Sequence, residues 1–351
     1  MSPHVAWFAL GLLLLAGGGW CFASGASRVV RRCGANPFIV GLIACGFGTT
    51  AAALAFDLTA LARGRFLLAL GNVAGVNIAN VGLVLGLAAA VRSLKGKSRV
   101  VSASIPALIG ATLLFWFLCR ANEVTPLSGG ILLVAFVGVA AYLGTLAKHE
   151  PNAVREQFRY LEAGSLWLAR ERPSLNPNPV RQFRYLEAGS LWLGLLLVVV
   201  GIAALVGGAN LAVLAAEDIR REFKVTTLRL GTVAAAFGTV LPGLVVAVCA
   251  AWRGQSDVAL GAVIGACLAN VLLVAGILGL TAPLLAPNGP FRVTSALGDQ
   301  AVMNEIPLMA VFAFLLLAVY FNDLEVPWWQ GAILLAAYAG FVTWQVMRLR
   351  G

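Results

Sequence analysis

Long runs of apolar residues, separated by short polar segments, form the main pattern along this chain of 351 residues. A helix needs about 20 apolar residues to cross about 30 Å of hydrocarbon, and each run approaches or exceeds that length. No run alternates as a strand does, and lipid accepts only helices or closed barrels. The pattern predicts an all-α polytopic membrane protein whose ten transmembrane helices lie near residues 5–27, 37–61, 66–91, 100–119, 126–147, 188–215, 225–251, 257–281, 300–321 and 326–347.

One long polar stretch, residues 148–187, divides these spans into two sets of five. We therefore predict a first half over residues 1–147, a cytoplasmic loop over 148–187 and a second half over 188–351. An odd number of spans per half makes the second half enter the membrane upside down, as an inverted repeat. The loop holds QFRYLEAGSLWL twice, at 157–168 and 182–193. The first copy precedes no span, and it is interpreted as a dispensable insertion or, alternatively, as a regulatory element.

The composition supports the membrane class, with 60% hydrophobic and 11% charged residues. We expect a multi-pass protein of a bacterial-type inner or plasma membrane. The net charge of +10 comes largely from loops beside the spans, where anionic lipid headgroups account for it, so the bilayer rather than nucleic acid is the expected partner. The six cysteines show no metal-ligand spacing, and no cofactor is expected apart from a transported cation.

A second repeat points to a binding site. Residues Phe47–Leu87 match Phe237–Ile277 without a gap at an offset of 190, sharing the triplets FGT and ALG. The repeat cores cover about 41–87 and 231–280. Both copies are apolar segments interrupted by glycine, hydroxyl and amide residues, and such a pair indicates the substrate site of a transporter built from inverted repeats.

The polar residues within these copies carry the oxygen atoms that hard cations prefer. Asp57 is the one acidic residue well inside a predicted repeat span, and an intramembrane carboxylate suggests a functional site. The alternatives are structural: Asp57 bonds a neighbouring hydroxyl or Arg63, and the amides join helices. Asp257, Asp299 and Glu305 lie near span starts and are interpreted as helix caps. The predicted ion-binding residues are Thr49, Thr50, Asp57, Asn77, Asn80, Thr239 and Asn270, with Asp57, Asn80 and Asn270 as direct metal ligands.

The two copies resemble the sodium/calcium exchanger (cation/Ca²⁺ antiporter) superfamily, whose repeats read approximately G-T-S-x-P-E and then G-N-x-x-G-S-N-x-x-N/D. This chain has GTTAAA at 48–53 and GNVAGVNIAN at 71–80, then GTVLPG at 238–243 and GAVIGACLAN at 261–270. The resemblance extends in layout over all ten spans. It implies the inverted-repeat fold and an ion site between spans two, three, seven and eight.

The chain departs from the family pattern at the acidic positions. The two glutamate positions hold Ala53 and Gly243, and the acidic position of the second repeat holds Asn270. The resemblance implies a secondary active antiporter that moves Ca²⁺ or another cation in exchange for Na⁺ or H⁺, not an enzyme. The lost glutamates weaken the case for a divalent ion. The alternative is a non-transporting structural or regulatory relative that retains the fold.

Overall fold

The structure is a computed structural model that describes residues 3–32, 37–120, 125–151, 153–154, 191–223, 225–285 and 304–347, with the backbone alone for 37–49. The first QFRYLEAGSLWL copy and Asp299 lie outside the described residues. Within them the chain forms ten long helices, which we number in order. They are α1 (Pro3–Arg32), α2 (Pro37–Ala62), α3 (Phe66–Val91), α4 (Arg99–Arg120), α5 (Pro126–Ala147), α6 (Leu191–Phe223), α7 (Thr227–Trp252), α8 (Ser256–Leu285), α9 (Ile306–Phe321) and α10 (Trp328–Met347).

The predicted all-α membrane architecture is confirmed. Eight of the described helices are long and apolar enough to cross a membrane. Two shorter apolar helices are α9 and Thr50–Ala62, the part of α2 whose side chains are described. The sequence missed one small element: β1 (Leu94–Lys95) pairs antiparallel with β2 (Glu325–Val326). Two residues per strand are too few to produce an alternating pattern, and this ladder joins two loops on one side of the bundle.

Helices α1 and α6 lie against each other along an unusually close seam. Three glycines of α1 face three glycines of α6, and the seven-residue spacing in each helix places them on one face. A Cβ atom on Gly201 would lie 2.5 Å from the backbone nitrogen of Phe22, and one on Gly11 would lie 2.6 Å from that of Ala212. Small residues let helix backbones approach where lipid provides no hydrophobic drive. The seam glycines are Gly11, Gly18, Gly25, Gly194, Gly201 and Gly208.

The duplicated copies form two helical hairpins, α2–α3 and α7–α8. Each turns at an Arg-Gly pair whose glycine has a positive φ, 71° at Gly64 and 77° at Gly254. Other residues rarely adopt that conformation, so glycine permits the same sharp turn in both copies. Because the first hairpin follows an odd number of spans and the second an even number, the turns lie at opposite ends of the bundle, as inverted repeats require.

The expected interruptions in these hairpins are π-helical segments rather than breaks in the chain. They cover Asn80–Leu85 in α3, Leu230–Ala235 in α7 and Ala269–Val274 in α8. Such segments appear frequently at functional sites. The segment in α7 packs against α3 through glycines. A Cβ atom on Gly75 would overlap the carbonyl oxygen of Thr232 and lie 2.7 Å from Ala236 Cβ. The close α3–α7 contact therefore depends on the absence of a side chain.

We expect Gly75→Ala to lower the thermal stability of the protein, because the added methyl group would meet backbone rather than a movable side chain. Overpacking of this kind costs about 1–3 kcal/mol. The matched control is Gly138→Ala in α5, where no atom lies within 4 Å of the new methyl group. Thermal unfolding of both variants in detergent checks the prediction. Equal melting temperatures for the two would contradict the close α3–α7 contact.

Candidate functional site

Asp57 lies at one end of a hydrogen-bonded chain that joins three helices. Its side chain is fully buried, and its Oδ1 accepts a hydrogen bond of 2.9 Å from Nδ2 of Asn72. The Oδ1 atom of Asn72 in turn accepts a hydrogen bond of 3.2 Å from the hydroxyl of Thr239. The chain therefore runs from α2 through α3 to α7, and it crosses from the first repeat to the second.

A second polar contact between the repeats lies one residue further along α3. The carbonyl oxygen of Val73 accepts hydrogen bonds of 2.8 Å from Nδ2 of Asn77 and from Nδ2 of Asn270. Asn77 lies on the same helix, whereas Asn270 belongs to the π-helical segment of α8. Because the two amides share one acceptor, they lie side by side. Since Asn72 and Val73 are adjacent, both polar contacts involve the same turn of α3.

Asn80 and Asn270 occupy matching repeat positions, and each reaches the opposite repeat. Asn80 is the first residue of the π-helical segment of α3, and its side chain lies beside the thiol of Cys267 in α8. Asn270 contacts α3 through Val73. Both asparagines are 1% exposed, so neither faces lipid. The structure thus places the pair at the α3–α8 interface.

The remaining predicted ligands differ in position. Thr50 is buried, whereas the side chain of Thr49 lies outside the described part of the structure. Gly238 begins the GTVLPG motif of the second repeat, and a Cβ atom on it would point at Leu12 of α1, 2.5 Å from Leu12 Cδ2. That glycine packs α7 against α1 and does not line the polar centre.

Several buried polar atoms in this centre have no hydrogen-bond partner. They are Oδ2 of Asp57, Oδ1 of Asn77, Oδ1 of Asn270 and Nδ2 of Asn80. Buried polar groups in proteins are normally satisfied, and an unsatisfied one needs a specific explanation. Three of the four atoms are oxygens that can accept but cannot donate. Such a set of oxygens suits a dehydrated cation.

One structural alternative from the sequence is wrong. Arg63 does not pair with Asp57, because its guanidinium donates to Oδ1 of Asn210 in α6 at 2.8 Å. Asp257 lies in the first turn of α8, where the sequence placed it as a cap. Its Oδ1 also accepts from the backbone N–H groups of Lys97 and Ser98, in the loop before α4. Partners about 160 residues apart in the sequence could not be found from local capping rules.

Glu305 does occupy the position before the first turn of α9, but it makes no side-chain cap. Both of its carboxylate oxygens accept from Nε2 of Gln345, at 2.8 and 2.7 Å. Glu305 and Asp257 are thus held near helix ends. Asp57, by contrast, lies within α2 and accepts a hydrogen bond from a neutral donor, the amide of Asn72. Among the described carboxylates this one is placed to meet a mobile charge.

The positions of the family glutamates are occupied by small residues in the packed core. Ala53 is 1% exposed, and Gly243 is buried in α7. Asp57 follows Ala53 by four residues, so it lies one turn further along the same face of α2. The negative charge of the first repeat is therefore displaced by one helical turn, and that of the second is absent.

Asn72 is the site residue that the sequence analysis missed. It lies within the GNVAGVNIAN motif but has no polar counterpart in the second repeat, where Ala262 takes its place. The sequence does contain a signal for the contact between Asp57 and Asn72. Asp57 and Asn72 lie seven residues before and eight after Gly64, so antiparallel packing brings them level, roughly 11 Å from the turn. Equal distance from a helical hairpin predicts such a contact.

The fold and the polar centre together define a membrane transporter of the inverted-repeat class. Comparison with known proteins narrows this class. The family model described as sodium/calcium exchanger protein matches residues 3–144 and 193–347. The chain therefore belongs to the sodium/calcium exchanger family, a family of cation antiporters.

Individual relatives agree with this assignment. The chain is 27% identical over 345 residues to the sodium/calcium exchanger MaX1 of Methanosarcina acetivorans, covering 95% of each chain. It is 29% identical over 283 residues to the inner membrane protein YrbG of Escherichia coli, covering 81% of each. A solved structure of the sodium-calcium exchanger NCX_Mj superposes with a TM-score of 0.61 at 22% identity, covering 98% of this chain and 99% of the other. At that identity the likeness shows the fold alone.

We expect Asn270→Ala to destabilise the cation-free protein by about 1 kcal/mol, because it removes the bond that ties α8 to the Val73 carbonyl. The control is Asn322→Ala, which removes a similar amide-to-carbonyl bond at an exposed turn, where water replaces it. Thermal or denaturant unfolding of both variants tests the difference. A control that loses as much stability as Asn270→Ala would show that the buried bond contributes nothing special.

Proposed function

We propose that the protein is a secondary active cation antiporter that moves Ca²⁺ or another cation in exchange for Na⁺ or H⁺ by alternating access. The observation that carries the proposal is Asp57, a fully buried carboxylate with one hydrogen-bonded oxygen and one oxygen without a partner. A carboxylate at that depth is costly as a bare anion, so it needs a cation or a proton beside it. Exchange of one for the other is the elementary step of antiport.

The neighbouring amides supply neutral ligands for the same ion. The oxygens of Asn77 and Asn270 have no donor, and both side chains are anchored through their nitrogens on Val73. Anchoring in this way orients the oxygens before an ion arrives, which reduces the entropy lost on binding. The site draws one amide from each repeat, so a movement of one repeat against the other would alter the ligand set.

The alternative function is that of a non-transporting membrane relative. It is favoured by the replacement of both family glutamates with Ala53 and Gly243. Asp57 argues against it, because a purely structural protein would gain nothing from an unneutralised carboxylate in its core. Sealing by Arg63, which would have favoured the alternative, does not occur.

The primary test is Asp57→Asn in proteoliposomes. Asparagine is nearly isosteric but carries no charge, so we expect the fold to persist while cation-coupled flux falls to the background of empty vesicles. Fluxes of Ca²⁺, Na⁺, K⁺ and H⁺ in the wild type identify the exchanged ions. The matched control is Asp323→Asn, at a turn with a φ of 50°, which asparagine tolerates well. Undiminished flux in Asp57→Asn, or no flux of any cation in the wild type, would refute antiport through Asp57.

Restoring the family glutamates should change which ion the site prefers, without changing the fold. We expect Ala53→Glu combined with Gly243→Glu to raise the affinity for Ca²⁺, because carboxylates from both repeats would then face one ion. The control is the pair Ala53→Gln and Gly243→Gln, which adds the same bulk without charge. Calcium binding to the purified variants provides the measurement. If the glutamine pair binds Ca²⁺ as well as the glutamate pair does, charge is not what the site lacks.

A further inference from the structure

We propose that Asn72 is a positioning residue that restricts the site to a single positive charge. It donates a hydrogen bond to one oxygen of Asp57 and leaves the other oxygen to a monovalent cation. This inference rests on the proposed function and names the substrate class of that site. Asn72 acts through Asp57 rather than on the ion, so its role differs from that of the ligating residues.

The hydrogen bonds of Asn72 fix which way its amide group faces. An ionised Asp57 can only accept, so the Nδ2 atom of Asn72 faces it, and the Oδ1 atom faces the hydroxyl of Thr239. The side chain is fully buried and held from two opposite sides, by α2 and by α7. Rotating the amide would break both bonds at once.

The backbone beneath Asn72 is equally constrained. Its nitrogen would lie 3.1 Å from a Cβ atom on Gly231, in the π-helical segment of α7. One residue earlier, a Cβ atom on Gly71 would lie 3.0 Å from the hydroxyl oxygen of Thr232. The two helices are therefore packed backbone to backbone at this level. A movement of the Asn72 backbone would therefore disturb the contact between α3 and α7.

This geometry leaves one oxygen of the carboxylate without a hydrogen-bond donor. Oδ1 of Asp57 is taken by an N–H group, and Oδ2 is buried without a partner. Bidentate binding, which Ca²⁺ often uses among its 6–8 oxygen ligands, is blocked on this carboxylate. An amide N–H also directs a partial positive charge at the site, which disfavours a second unit of cationic charge.

The second repeat supplies no compensating charge. The positions that match Asp57 and Asn72 are Ala247 and Ala262, and the family glutamate positions are Ala53 and Gly243. The polar centre therefore contains one carboxylate among its described residues. A monovalent cation would make that centre neutral, whereas a divalent cation would leave a net charge in a buried site, which is strongly unfavourable.

Thr239 connects this arrangement to the second repeat. Its hydroxyl has one proton but lies 3.2 Å from the Asn72 oxygen and 3.1 and 3.2 Å from the carbonyl oxygens of Ala235 and Ala236. The proton can serve one acceptor fully at a time. A change at Asp57 that shifts Asn72 would therefore alter the hydrogen bonding of Thr239 in α7.

The test is a charge series built from two isosteric exchanges. The wild type has one carboxylate, Asn72→Asp has two, Asp57→Asn has none, and the double variant Asp57→Asn with Asn72→Asp has one in a new place. Each purified protein is titrated with NaCl, KCl or CaCl₂ against choline chloride at constant ionic strength. The readout is the rise in melting temperature, since a ligand that binds only the folded state stabilises it.

We expect Na⁺ or K⁺ to stabilise the wild type and the double variant, and Ca²⁺ to have little effect on either. Asn72→Asp should gain Ca²⁺ affinity on the order of tenfold or more, because two adjacent carboxylates favour a divalent ion. Asp57→Asn should respond to neither. Asn322→Asp, which adds an acid at an exposed turn, controls for general charge and should behave as the wild type does.

Three results would overturn the inference. They are equal responses of the wild type to Ca²⁺ and Na⁺, an Asn72→Asp variant with unchanged ion preference, and a wild type that responds to no metal cation. If Asn72→Asp fails to fold, the double variant still decides, because loss of its monovalent response would contradict the single-charge rule. The proposed function fails separately: a wild type that binds Na⁺ but carries no flux would refute antiport and leave the role of Asn72 intact.

Discussion

A buried carboxylate that lacks a fixed cationic partner is the constraint on which the rest of this protein depends. Asp57 is fully buried in α2, and the described hydrogen bond to it comes from a neutral amide. Such a group destabilises the fold when it stands alone as an anion. A structural acid would be neutralised by a nearby arginine, but Arg63 bonds Asn210 instead. Under the proposed function, a mobile cation or a proton supplies the missing positive charge.

The inverted repeat provides the scaffold, and the differences between its copies provide the chemistry. Matching glycines allow both hairpins to turn in the same way, at Gly64 and Gly254. Matching asparagines, Asn80 and Asn270, reach across the α3–α8 interface. Asp57 has no such partner, since Ala247 takes its place in the second copy. A site with a carboxylate from each repeat would suit a divalent ion, whereas a site with a single carboxylate would suit a monovalent ion.

The sequence predicted the helices far better than it predicted their contacts. Hydropathy located all ten spans because the requirement for about 20 apolar residues is strong and local. It could not locate the π-helical segments, because helices that are apolar on every side carry no periodic signal. Asn80 and Asn270 are matching polar residues in the two copies, whereas Asn72 corresponds to Ala262 and lacks that signal. The bonds of Asp257 were hidden for another reason, because its partners Lys97 and Ser98 lie in a different half of the chain.

The helix contacts described above do not involve the positions of the family glutamates, so those positions can change without loss of these contacts. The helices are held by backbone contacts at glycine, as between Gly201 and Phe22 or Gly231 and Asn72, and by amide-to-carbonyl bonds such as that of Asn270. None of these contacts involves a carboxylate. Replacing a glutamate by Ala53 or Gly243 therefore removes charge from the centre without removing a support of the bundle. In the proposed single-charge site, the carboxylate one turn away at Asp57 sets the charge that the centre holds, and the hydrogen bond from Asn72 leaves one of its oxygens free.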